Sequence, residues 1–196
     1  MGRRDARMEL YREKKTCCGC GACADICPVG AIHMVMDEEG FRYPKVNEKK
    51  CTKCGKCAST CPMKGRKAEE TEKSYFGIRA KERGLRLASS SGGMFPLLAD
   101  YVFRRQGVVY GAAYDGNMKV AHGEARDRQE LDVLKRTKYV QSDLTGTYRR
   151  IRRRLEEGRW VLFCGTPCQA QALRLFLGRA YPKLIMADLV CYGAPS

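Results

Sequence analysis

The run C-x2-C-x2-C-x3-C-P occurs twice in the first 62 residues. It appears as Cys17, Cys20, Cys23, Cys27 and Pro28, and again as Cys51, Cys54, Cys57, Cys61 and Pro62. At this spacing three close cysteines wrap three corners of a four-iron cubane, and the fourth, released by the proline turn, ligates a second cubane. The expected ligand sets are therefore crossed: Cys17, Cys20, Cys23 and Cys61 for one [4Fe–4S] cluster, and Cys51, Cys54, Cys57 and Cys27 for the other. Clusters at this spacing carry single electrons, so the open question is what supplies or receives them.

Disulfides and zinc are the competing readings of these cysteines. Disulfides need an oxidising compartment. Residues 1–15 are charged and contain no apolar run, so no secretory signal is visible. Zinc sites usually pair two C-x2-C knuckles rather than two proline-closed runs of four. Twelve cysteines without a signal point to a reducing cytoplasm. Cys18 breaks the spacing on both sides and reads as a spare thiol, or as a substitute for Cys17. The runs form an internal duplication, with Phe41 to Val46 between them patterned as a strand. Gly19, Gly21 and Gly55 allow tight turns that aim N–H groups at sulfur.

The net charge is +15, and most of the excess lies beyond residue 70: residues 1–70 hold 15 basic and 10 acidic residues, residues 71–196 hold 22 and 12. Such a surface favours anionic partners. The densest run, Arg149, Arg150, Arg152, Arg153 and Arg154, cannot share one helix face and reads first as a solvated helix surface. No nucleic-acid-binding motif accompanies it, which ranks nucleic acid last among partners. No run of 18 apolar residues exists, so no membrane span is expected.

The overall class is α+β: an N-terminal two-cluster ferredoxin-like domain (residues 1–66), a linker (67–84), and a partial, mostly parallel α/β domain (85–196). In the second part, residues 92–105 read as a helix capped by Ser91, 108–114 and 119–125 as hairpin strands, and 129–135 as a short helix. A longer helix follows over 145–157, then a strand over 159–163, a helix over 167–177 ending at Gly178, and a buried strand over 184–190. Alternation of strand and helix argues for a mostly parallel sheet.

Three segments of this part look chemical. Ala88 to Met94 is a Gly/Ser turn opening a helix, suited to an anion or to ordinary capping. In Val161 to Gln169 a buried strand turns at Gly165 into a helix with Thr166 as cap and Pro167 first. Ligands of open α/β sheets bind outside the carboxyl ends of strands. Cys168 sits in that first helical turn, where the dipole is expected to lower its pKa; the plainer reading is a small packed residue. Lys138 to Asp143 by itself says only loop.

Taken in order, the Ser90–Gly93 turn, the Lys138–Asp143 segment, Leu162–Gln169 and Asp188–Ser196, behind the doubled cysteine run, resemble the coenzyme F420 hydrogenase/dehydrogenase beta-subunit family. The resemblance implies an iron–sulfur flavoprotein oxidoreductase, with FAD exchanging hydride with coenzyme F420 (a deazaflavin) or another small anionic substrate, and a ferredoxin or other redox protein as electron partner. It places Ser90, Ser91, Gly92, Gly165, Thr166 and Cys168 at FAD, and Cys168 or Cys191 beside the reacting ring. The alternative is a non-enzymatic electron-carrier subunit. Relatives continue well past the turn at residues 193–196. The expectation is therefore that this chain binds FAD weakly by itself and is completed by further residues, another chain or an oligomer.

Overall fold

The computed structural model describes residues 10–64 and 74–196. The N-terminal lobe is built twice on one plan. Helix α1 (Ala22–Ile26) is entered through Gly21 at φ 76°, ψ −5°, and α2 (Lys56–Ser59) through Gly55 at φ 76°, ψ −7°. The turn bonds repeat in the same register: Ala24 N–H to Gly21 O and Ala58 N–H to Gly55 O are both 3.0 Å, and Cys27 N–H to Ala24 O and Cys61 N–H to Ala58 O are both 3.3 Å. A left-handed residue is needed at each entry, which glycine supplies without strain. Strands β1 (Ile32–Met36) and β2 (Arg42–Val46) pair antiparallel, Ile32 opposite Val46. The apolar content of this lobe is thin: Leu10, Ala24, Ile32 and Cys57 form its buried centre, with Ile26, Met34 and Val46 around them.

Beyond α3 (Arg83–Leu87) come α4 (Met94–Phe103), β3 (Val108–Tyr114), β4 (Val120–Ala125), α5 (Arg128–Leu131), α6 (Thr147–Glu156), β5 (Val161–Gly165), α7 (Pro167–Leu177) and β6 (Leu184–Asp188). The four strands form one sheet in the order β4-β3-β5-β6. β3 and β4 are an antiparallel hairpin, whereas β3, β5 and β6 run parallel. Both faces of the sheet centre are covered, which explains its unbroken apolar strands. Val109 and Leu162 face α4 through Ala99 and Val102. Val108, Tyr110, Val161 and Phe163 face α6 and α7 through Tyr148, Ile151, Leu173 and Phe176. Cys20 and Ala22 of the N-terminal lobe join this second cluster, so one core runs through both lobes.

Several boundaries differ from the sequence reading. Ser91 does not cap α4; Gly93, at φ 83°, is the capping position and offers no side chain. The backbone over Ile78–Ala80 lies against this turn, with Ala80 N–H bonded to Gly92 O at 2.7 Å, and a Cβ on Gly92 would meet Ile78 O at 2.6 Å. The helix expected over 129–135 is α5 followed by a 3-10 turn over Asp132–Leu134. The strand expected over 159–163 is shifted to Val161–Gly165, in register with Val108–Tyr110. Residues 67–73 of the sequence-defined linker, with 65–66 of the segment before it, lie outside the described residues. Among the described residues no helix is long and apolar enough to cross a membrane.

Helix α6 corrects the solvated reading for part of its arginines: Arg149 and Arg153 are exposed, whereas Arg150, Arg152 and Arg154 are half-buried. Gly146 precedes it at φ 75° and supplies no cap of its own. The cap comes from the other lobe: Asp25, 4% exposed, accepts from Gly146 N–H at 2.7 Å and Tyr148 N–H at 3.1 Å. Arg149 donates to the backbone carbonyls of Asp25 (2.7 Å) and Ala24 (3.2 Å), and Tyr148 Oη donates to Cys20 O at 3.1 Å. Arg154 bonds Glu124 at 2.7 Å, and Arg152 bonds the carbonyl of Phe176 while its guanidinium lies over that ring. The run is wired into the fold because its neighbours Tyr148, Ile151 and Leu155 are buried and carry the arginine stems inward. Replacing Asp25 with Ala strands two backbone donors at the interface and should cost about 2 kcal/mol. Asp25→Asn, which keeps an acceptor, should cost less. Urea unfolding of the variants checks both, and an unchanged Asp25→Ala midpoint would remove Asp25 from the interface account.

Candidate functional site

The fourth cysteine of each run lies near cysteines of the other run. Cys27 lines a small cavity together with Cys51, Cys54 and Cys57, the three cysteines of the other run. On the opposite side, Cys61 is an electrostatic neighbour of both Cys17 and Cys23. Backbone amides point at several sulfurs, Ala31 N–H at Cys27 Sγ (3.2 Å) and Lys53 N–H at Cys51 Sγ (3.4 Å). Burial raises the pKa of Cys17 and Cys57, and burial with the nearby Cys17 and Cys61 thiols pushes Cys23 up to about 12. Cys54, exposed, is lowered by the Lys56 N–H. Thiols crowded in this way repel one another once ionised, and only a strongly cationic group makes joint deprotonation favourable. All twelve cysteines are free. Among the described residues no three His, Cys, Asp or Glu side chains converge as ligands of one ion. Cys27, Cys51, Cys54 and Cys57 stand around a common space, which is the arrangement a four-cornered cluster requires. The donor set therefore fits two [4Fe–4S] clusters.

A second cavity, of about 630 Å3, lies at the carboxyl ends of the parallel strands and is walled by both lobes. Ser90, Ser91, Gly92, Gly165, Thr166, Cys168 and Cys191, separated by up to a hundred residues, all line it. From the N-terminal lobe Lys14, Lys15, Cys17, Cys18 and Tyr43 complete the wall. Two local features shape it. Gly165 ends β5 where a Cβ would come within 2.7 Å of Gln169 Oε1 and 2.9 Å of the Phe163 ring, so any larger residue would have to displace those side chains. Thr166 N–H is bonded to that same Gln169 Oε1 at 2.9 Å, which sets the start of α7. Across the cavity Ser90 Oγ accepts from Thr137 N–H at 2.9 Å and ties the Ser/Gly turn to the loop after α5.

That loop opens the Lys138–Asp143 segment, which by itself reads only as loop. Lys138 Nζ donates to the carbonyls of Lys135 (2.5 Å), Val133 (2.9 Å) and Arg136 (3.1 Å), which fixes an ammonium in the cavity wall. Burial lowers its pKa. His122 is buried at the cavity floor, bonded to Ser142 Oγ at 2.8 Å through Nδ1 and to Cys164 O at 3.1 Å through Nε2, and stacked on Phe163. A carbonyl only accepts, so Nε2 carries the proton and Nδ1 accepts from the Ser142 hydroxyl. Burial, with Arg150 nearby, depresses its pKa to about 4 against the opposing Cys164 bond, so the ring is neutral. Its sequence signal was the alternation of β4, which puts His122 in phase with the buried Val120.

Cys168 corrects an expectation. Its hydrogen bond with Cys18 and its burial raise its pKa, outweighing the start of α7 and the 3.1 Å contact with Thr166 Oγ1. Burial likewise pushes Cys164 up to about 11. Cys191 is exposed at the cavity rim. For FAD the wall has suitable chemistry: Lys14, Lys15, Lys135, Arg136 and Lys138 against a single carboxylate, Glu39, with Phe95, Leu134 and Val140 as apolar surface. A mostly apolar pocket with a few convergent charges is the usual form of a cofactor site, and these residues fit the group.

Comparison with known proteins places residues 16–64 in a family model described as a 4Fe-4S dicluster domain. The N-terminal lobe is thus an iron–sulfur, electron-transfer type of domain. No curated protein matches the chain. Among solved structures, one of the F420-reducing [NiFe] hydrogenase complex from Methanosarcina barkeri is similar at 21% identity and a TM-score of 0.41. The match covers 49% of this chain and 34% of that chain, so it spans about a third of that protein's length.

Proposed function

We propose that the chain is the electron-transfer part of an iron–sulfur flavoprotein oxidoreductase. Cys17, Cys20, Cys23 and Cys61 hold one [4Fe–4S] cluster, Cys51, Cys54, Cys57 and Cys27 hold the other, and the cavity between the lobes holds FAD. When bound, the clusters handle single electrons and the flavin joins one-electron to two-electron chemistry. The observation that carries this reading is the shared wall: Cys17 of the cysteine run and the Gly165–Cys168 turn line the same cavity. The other cysteine set reaches solvent through the exposed Cys54, which suits a docked redox protein as external partner. Lys138, held by three carbonyls, supplies a fixed positive charge for a pyrophosphate, with Lys135 and Arg136 beside it. His122 spends both ring nitrogens on Ser142 and Cys164, so it holds the end of β5 in place and transfers no proton. The open rim at Cys191 suits a small anionic or deazaflavin substrate.

Anaerobic titration with FAD, followed by flavin fluorescence, tests the reading. Binding should be weak but saturable. Lys138→Met should weaken FAD by roughly tenfold, about 1.4 kcal/mol, and leave riboflavin, which lacks the pyrophosphate, unchanged. No saturable FAD binding would favour a carrier subunit without flavin.

A further inference from the structure

The β1–β2 hairpin joins two differently charged ends of the N-terminal lobe. Its turn carries Asp37, Glu38 and Glu39, and Glu39, Phe41 and Tyr43 line the large cavity. Its other end, where Ile32 pairs with Val46, walls the small cavity of Cys27, Cys51, Cys54 and Cys57. Past that end the chain turns basic. Residues 45–64 hold Lys45, Lys49, Lys50, Lys53, Lys56 and Lys64, all exposed, against one carboxylate, Glu48. Lys53 and Lys56 flank Cys54, which is itself exposed, whereas Cys17, Cys20, Cys23 and Cys61 are half-buried or buried. Lys53 stands at φ 55°, with its N–H 3.4 Å from Cys51 Sγ, so a lysine occupies a left-handed position where glycine would sit without strain. Beside Cys54, Pro28 and Val29 line the same small cavity and are exposed, Val29 to 43%. An apolar centre within a charged rim is the anatomy of a protein docking surface.

We propose that this face is the docking surface for an acidic one-electron carrier protein, whose carboxylates meet Lys49, Lys50, Lys53 and Lys56 and whose redox centre comes to rest over Cys54. The proposal rests on the reading that the doubled run holds two clusters, and it names the chemistry of the external partner. Charge complementarity selects the occupant. The rim is made of lysines, compact hydrated charges that steer an encounter without the bidentate lock of arginine. That suits a partner that must leave after one electron. Nucleic acid fits this face less well, because residues 45–64 contain no aromatic side chain on which a base could stack. In the docked pair one electron crosses from the reduced protein to the oxidised one; no bond forms or breaks and no proton moves. The Cys17 set, which reaches the large cavity through Cys17, is left to serve the inner site.

The test uses the cluster-loaded full chain under argon, with an acidic [2Fe–2S] ferredoxin as probe and basic cytochrome c as its counterpart, all oxidised. Calorimetric titration at about 0.05 M salt should show saturable ferredoxin binding that weakens at least tenfold at about 0.5 M, and no cytochrome binding. Lys49→Glu with Lys56→Glu should weaken ferredoxin roughly tenfold at low salt, with iron unchanged at about eight. Arg105→Glu with Lys119→Glu makes an equal change of net charge on exposed residues of the other lobe, and should alter binding less than about twofold. Carbodiimide cross-linking, mapped by mass spectrometry, should join ferredoxin carboxylates to Lys49, Lys50, Lys53 or Lys56. Equal weakening by both pairs, cross-links confined to the other lobe, or no salt-sensitive ferredoxin binding overturns the assignment. Duplex DNA binding that falls with Lys49→Glu and Lys56→Glu, without ferredoxin binding, gives the face to nucleic acid and overturns it too. If Lys56→Glu sheds iron, Lys45→Glu with Lys49→Glu, neither adjacent to a cysteine, takes its place. A chain that takes up no iron defeats the cluster reading instead, and the cross-link map still decides where the acidic partner docks.

Discussion

Cys27→Ser should leave the protein with about half of its iron, and the missing cluster should be the one on Cys51, Cys54 and Cys57 rather than on the cysteines nearest in sequence. Anaerobically loaded wild-type chain should carry about eight iron atoms as two four-iron clusters. In the structure Cys27 leaves α1, turns at Pro28 and lines a cavity whose other sulfurs all come from the second run. Its sulfur is already bonded by Ala31 N–H at 3.2 Å, so the side chain is held in place before any metal arrives. Serine offers a harder, far less acidic oxygen and lengthens the odds against a stable fourth corner. Cys61→Ser should give the mirror result and unload the set of Cys17, Cys20 and Cys23. Iron and sulfide assay, with EPR of the reduced protein, separates the two centres. Loss confined to the Cys17 set in Cys27→Ser would reject the crossed pairing. Stoichiometric zinc with little iron in the reconstituted wild type would reject the clusters altogether.

Acid should destabilise the fold well before its carboxylates titrate, and His122 is the reason. Its folded pKa is held at about 4, below the ordinary 6.5, by burial above all. A depressed folded value means that stability is full above pH 6.5 and is lost as pH falls from 6.5 to about 4, where the unfolded chain binds a proton that the folded chain refuses. The integrated loss is about 3 kcal/mol, a large share of the stability of a small domain. Protonation would also turn Nδ1, the acceptor of the Ser142 hydroxyl, into a second donor in a buried site. Carboxyls add their own windows: Asp37, Asp100 and, against its burial, Asp143, held below the usual range by their hydrogen-bond and ion-pair partners, lose their contribution only as pH falls below about 3.8. Burial works against the Glu124 carboxylate, but hydrogen bonds from Arg154, Tyr110 and Arg126 hold it at about 2, so its contribution is lost only below 4.5. Asp25, raised by burial, acts in the opposite sense as pH falls through its window. Comparison with His122→Gln subtracts these contributions. That variant should be about 1–2 kcal/mol less stable at neutral pH and nearly flat from pH 6.5 to 4.5, where the wild type declines. Urea midpoints across that range, with both proteins in the same cluster state, give the answer; parallel curves would show that His122 is not the titrating group.

The cysteine spacing was legible because cluster ligation is a local code: three thiols within seven residues and a proline that throws the fourth across. The doubled glycine entries at Gly21 and Gly55, and the capped turn of Thr166 and Pro167, were equally readable, since each is settled by the backbone preferences of one or two residues. The parallel sheet followed from apolar strands that alternate with helices. What lay beyond the sequence were the relations between distant segments. Ser91 was a reasonable cap until the backbone of Ile78–Ala80 occupied that turn. Five arginines looked solvated, and Arg149 and Arg153 are exposed; nothing local says that Asp25, more than a hundred residues earlier, caps their helix, or that Arg152 and Arg154 turn back onto the fold. Cys168 was expected to be acidic from its place at a helix start, and its pKa moves the other way because a thiol from the other lobe meets it. His122 drew no attention and Lys138 only as the start of a loop segment, for a lone imidazole on a strand and a lysine in a loop acquire meaning only from the carbonyls and hydroxyl around them. Short-range preference chooses the elements and the spacing of the cysteines. The cavity, its charges and its displaced pKa values come from desolvation and from contacts made only once the two lobes pack.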